Sequence, residues 1–70
     1  MRRTIPKRDR FHTVAVKQVG DQFQLIGHYG QGDNRAPVLL STHSDALNAE
    51  RALSATARQH NAYETVEYND

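Results

Sequence analysis

From Phe11 the chain alternates with period two. His12, Val14, Val16 and Gln18 fall on one side of an extended segment, and Phe11, Thr13, Ala15 and Lys17 fall on the other. A second alternating run covers residues 22–29. Between the two stands Val19-Gly20-Asp21-Gln22, a two-residue Gly-Asp turn that requires positive φ at its first central position. That turn fixes the register: Val16 falls opposite Leu25, Val14 opposite Gly27, Gln18 opposite Phe23 and His12 opposite Tyr29. One face of the predicted hairpin collects Val14, Val16, Phe23, Leu25 and Tyr29. The other receives Thr13, Lys17, Gln24 and His28, with Ala15 and Ile26 as its only apolar members. Turn chemistry and face pattern are independent signals, and here they agree.

Residues 30–36 are rich in turn formers, and Pro37 restarts an apolar run at Val38, Leu39 and Leu40. This run predicts a short third strand, and Pro37 at its start points to an edge position. Ser41, Thr42 and Ser44 offer N-caps for a helix from Asp45 to about His60, with Thr42 and Asp45 a loose relative of a capping box. On this helix Ala46, Ala49, Leu53, Ala57 and His60 make one stripe, with Leu47 at its margin. Residues 63–68 alternate again and predict a fourth strand carrying Val66 and Tyr68 on one side. The expected fold class is α+β: a small antiparallel sheet in β-β-β-α-β order with one helix packed on one face. Its expected core is Val14, Val16, Phe23, Leu25, Val38, Leu40, Leu47, Leu53, Val66 and Tyr68. So small a core makes a monomer marginal, so a homodimer through a sheet edge or the Ala15/Ile26 patch is a further expectation.

With 70 residues, 37% hydrophobic and 24% charged, the chain is one polar domain without the composition of a disordered one. It has no cysteine, hence no disulfide framework, thiolate metal site or thiol nucleophile; a reducing, cytoplasmic setting is expected. No apolar run approaches the roughly 18 residues of a membrane span or forms a signal-type core, so a soluble, unprocessed protein with no membrane partner is expected. Charge changes the picture more. Residues 1–10 hold Arg2, Arg3, Lys7, Arg8 and Arg10 against Asp9 alone, whereas residues 11–70 hold four Lys/Arg against seven Asp/Glu. The chain divides into a basic N-terminal arm, residues 1–10, expected to be extended and mobile around Pro6, and a mildly acidic domain, residues 11–70.

Most familiar chemistry is weakly supported. The four histidines lack the i, i+4 spacing that places two imidazoles on one helix face, so no metal or other cofactor is called for. His43-Ser44-Asp45 has the residue types of a hydrolytic triad, but adjacent residues at a helix start are better read as caps. Residues 30–35, Gly-Gln-Gly-Asp-Asn-Arg, precede a strand instead of a helix and lack the third glycine of a dinucleotide fingerprint. Among the aromatics, Phe23 and Tyr29 point inward, Tyr63 and Tyr68 sit beside Glu64 and Glu67, and Phe11 is the one placed to assist the arm.

The expected function is therefore non-catalytic: a small regulatory or accessory protein whose arm contacts nucleic acid or a nucleoprotein complex electrostatically. Its candidate binding residues are Arg2, Arg3, Lys7, Arg8, Arg10, Lys17 and Arg35. The alternative is a modulator or inhibitor of one protein partner, of the mobile-element type. It would act through a sheet edge, the 30–36 loop or the acidic C-terminus.

Overall fold

The computed structural model describes residues 9–30 and 32–69. The elements follow the expected order: β1 (Thr13–Val19), β2 (Gln22–His28), β3 (Val38–His43), α1 (Ala46–His60) and β4 (Tyr63–Glu67). The hairpin has the predicted register, with Val16 opposite Leu25 and Gln18 opposite Phe23, and Gly20 takes φ 61 at the turn. The expected mobile arm, up to Arg8, lies outside the described residues.

The sheet order is β3-β2-β1-β4, which puts β3 at an edge as Pro37 implied. The sheet is mixed, not wholly antiparallel: β4 runs parallel to β1, with Thr13 beside Tyr63 and Val16 beside Val66. The helix explains the difference. At about 1.5 Å per residue its 15 residues carry the chain back roughly 22 Å, so β4 starts at the end of the sheet where β1 starts.

Asp45 is the N-cap, accepting from the Asn48 N–H at 3.2 Å. Ser41 and Thr42, expected as caps, are in β3, which runs on to His43. Asn61 closes the helix in the left-handed region at φ 52. Its N–H reaches Arg58 C=O at 3.3 Å, and the Ala62 N–H reaches Ala57 C=O at 2.9 Å.

The helix stripe buries Ala49, Leu53 and Ala57 on the sheet face that carries Val14, Val16 and Leu25. Phe23 and Tyr29 pack at the margin of this core. Because the stripe is mostly alanine, α1 lies close and mainly over β1 and β2. The flanks are left open: Val38, Leu40, Leu47, Val66 and Tyr68, all expected in the core, are exposed. A bulge opposite Leu25 and Ile26 makes Leu40 the extra residue of β3. Phe11 corrects the pattern in the other direction. Expected on the open face, it is only 8% exposed and belongs to the core.

Candidate functional site

Arg2, Arg3, Lys7 and Arg8 lie outside the described residues, so the site is built from the root of the arm. Phe11 sets its position. Its ring covers Gly27 so closely that a Cβ there would stand 2.6 Å from three ring carbons. Glycine thus provides the hollow that draws Phe11 inward, and the strand alternation slips between Phe11 and Val14. The ring also meets Tyr29, 5.0 Å between centroids, and His60, 4.6 Å.

The Phe11 N–H donates to His60 Nδ1 at 3.1 Å, which requires that nitrogen to be unprotonated. Burial, followed by the charge of Arg10, pushes the His60 pKa below its usual value. One residue on, the His12 N–H donates to the His28 C=O at 2.8 Å, and the His12 C=O accepts from the Tyr63 N–H at 3.0 Å. Three elements, β2, β4 and α1, therefore hold the root of the arm.

Arg35 stands at the same end. Its guanidinium lies 3.7 Å from the centroid of Tyr29, on the ring that also meets Phe11. It donates to Asp33 through Nη2 at 2.7 Å and Nε at 3.0 Å, and it approaches Asp9 at 3.6 Å. The Arg35 N–H also donates to Asp33 Oδ1 at 2.9 Å, forming an Asx-type turn. These hydrogen bonds hold the Asp33 carboxyl down to about 2 and raise Arg35 above its usual value. Arg35 is thus a braced cation beside the root. Lys17 is not part of this cluster: it is exposed four residues beyond Thr13, about 13 Å along β1, between Gln24 and Glu67.

The face of the sheet away from α1 is arranged in rows by the register. Leu39, Ile26 and Ala15 form an apolar row across β3, β2 and β1 that Thr65 continues on β4, and Thr42, Gln24, Lys17 and Glu67 form a polar one. His28, Thr13 and Tyr63 form the row nearest the root. Tyr63 is 70% exposed, with the His12 ring 5.3 Å away and His12 Nδ1 3.0 Å from Thr13 Oγ1. The expected assignments are thereby exchanged: Phe11 is core, and Tyr63 is the exposed aromatic beside His12 at the root. Finding Tyr63 from sequence required the parallel pairing of β4, which periodicity does not encode.

Two other arrangements lie on the helix side. Ser41 Oγ and His43 Nε2 are 2.8 Å apart, a contact between a hydroxyl and a base. Between α1 and β4 a groove of about 240 Å³ is lined by Glu50, Leu53, Ser54, Glu64, Thr65 and Val66. Tyr68 donates to Glu50 Oε2 at 2.5 Å at its margin, a bond that pushes the phenol up to about 12. Among the described residues, no group of three or more His, Asp or Glu is placed to hold a metal ion, and no helix is long and apolar enough to cross a membrane. No family model, curated protein or solved structure matches the chain.

Proposed function

We propose that this is a non-catalytic cytoplasmic regulatory or accessory protein that binds nucleic acid, free or in a nucleoprotein complex, through its basic arm. The supporting observation is the placing of charge. Five of the nine cations fall in residues 1–10, and the last of them, Arg10, enters the body at a root held by Phe11 and His12. That root lies at the end of the sheet where Arg35 stands against Tyr29 and approaches Asp9. The acidic remainder of the chain offers no comparable patch, so the arm supplies the attraction to phosphate.

The test replaces Arg2, Arg3, Lys7 and Arg8 with Gln and follows binding to labelled oligonucleotides across a salt series. Four neutralised phosphates correspond to a slope change of about 3 in log affinity against log salt for a single strand. Unchanged affinity and slope in this variant, or no binding by the native chain at low salt, would refute the reading.

A protein-directed modulator is favoured by one observation, the acidic groove beside the exposed β4. A stoichiometric protein complex that survives nuclease and tolerates the four substitutions would establish that reading instead.

A further inference from the structure

Resting on the arm reading, we infer that the ligand is single-stranded nucleic acid and that Tyr63, braced by His12, is the platform on which its bases stack. Stacking needs a ring whose face is open to solvent. Tyr63 is the most exposed large apolar side chain among the described residues, at 70%. It also needs a ring held in place. The Tyr63 backbone is hydrogen-bonded to His12, whose ring lies 5.3 Å away at an interplanar angle of 55°.

Position supplies the second argument. Arg10, the last cation of residues 1–10, stands two residues before His12, whose ring meets Tyr63. The row that carries Tyr63 contains Thr13 and His28 and no carboxylate. Glu64, its sequence neighbour, is paired with the inward-facing Val14 and so belongs to the helix side. Glu67 shares the open face but stands four residues along β4, about 13 Å away. Phosphate repulsion is therefore directed away from the ring, although the sequence sets two acidic residues close to it.

A duplex gains nothing from such a platform, because its base faces are already stacked inside the helix. A single strand gains about 1–3 kcal/mol per stacked base with little regard to sequence, since every base has a π face. The open face thus discriminates strandedness, while the arm supplies attraction common to both forms.

The experiment uses the full chain and fluorescence anisotropy with a labelled oligo(dT) of about 15 nucleotides and a duplex of the same length. Tyr63→Leu is expected to weaken oligo(dT) binding about 5- to 150-fold and leave duplex binding unchanged, with Tyr63→Phe close to the native chain. An equal loss on both ligands, or no loss on either, overturns the stacking inference while the arm reading stands. Loss of salt-dependent binding to both ligands by the native chain overturns the arm reading itself. Because Tyr63 is exposed, the leucine variant should melt with the native chain, and far-UV circular dichroism checks this.

Discussion

Replacing Gly27 with alanine tests whether the Phe11 ring is held as tightly as the geometry implies. Gly27 lies in β2 without positive φ, so its backbone accepts alanine, and a strand glycine replaced by alanine gains about 0.4–1 kcal/mol in general. Here the new methyl meets three carbons of the Phe11 ring at 2.6 Å, whereas ordinary contact begins near 3.4 Å. The ring would have to withdraw by about 1 Å, and it is already in contact with the rings of Tyr29 and His60. Overpacking of this kind costs about 1–3 kcal/mol, which exceeds the backbone gain and leaves a net loss of about 1 kcal/mol. In a domain of this size that lowers Tm by about 4–8 °C. The decisive assay is a double-mutant cycle by urea and thermal denaturation with Phe11→Leu, whose smaller side chain vacates the space. In that background Gly27→Ala should be neutral or stabilising. A rise in Tm in the native background, or the same cost in both backgrounds, would refute the argument.

Two further outcomes follow from the same core. His60 has a folded pKa below its usual 6.5, so protons bind the unfolded chain better. Its contribution to stability is complete above about 6.5 and is lost as pH falls through that value toward the folded pKa, with the Nδ1 acceptor for Phe11 lost as well. Urea midpoints should fall between pH 7.5 and 5, and His60→Phe should flatten the dependence; an equally steep curve in that variant would remove His60 as the cause. Leu53→Ala empties the centre of the helix stripe and should cost about 2–5 kcal/mol, a large share of the stability of a domain this small, read as a lowered urea midpoint. A cost under about 1 kcal/mol would show that α1 contributes little to the core.

Local chemistry made the hairpin and helix stripe legible. Gly20-Asp21 admits a single register, and that register places Val14, Val16 and Leu25 together. Ala49, Leu53 and Ala57 recur at helical spacing and are buried where the wheel puts them. Period two puts Phe11 on the open face only if the strand extends to it, and β1 begins at Thr13. What decides its side is the missing side chain at Gly27, a neighbour in space and not in sequence. Val38, Leu40, Leu47 and Val66 look like core by composition, yet burial depends on how far one narrow helix reaches across four strands. Arg35 stands out in sequence as a cation of the loop, while Asp33 two residues earlier carries the side chain that braces it. The parallel β4, and Tyr63 with it, depends on where the crossover helix ends, which an alternating pattern does not record.

The sheet edges weigh on the choice between the two functional readings. An added strand needs a row of accessible backbone donors and acceptors, and both edges carry features that oppose one. Pro37 stands immediately before β3 and removes an N–H, and the bulge at Leu40 breaks the line of that strand. On the other side β4 carries Glu64 and Glu67, and with only five residues it offers a short ladder. Strand addition by a protein partner or a second copy is therefore opposed at β3 by backbone geometry and at β4 by charge. The open face has no such guard: its apolar row ends at exposed Leu39, and its root-side row ends at exposed Tyr63. Under the proposed reading, a polyanion would meet that face at the row nearest the root, which carries no carboxylate. The same placement that makes β4 a poor edge for a strand, with Glu64 on the helix side and Glu67 two rows away, leaves the ring itself in a row of the open face that carries no carboxylate.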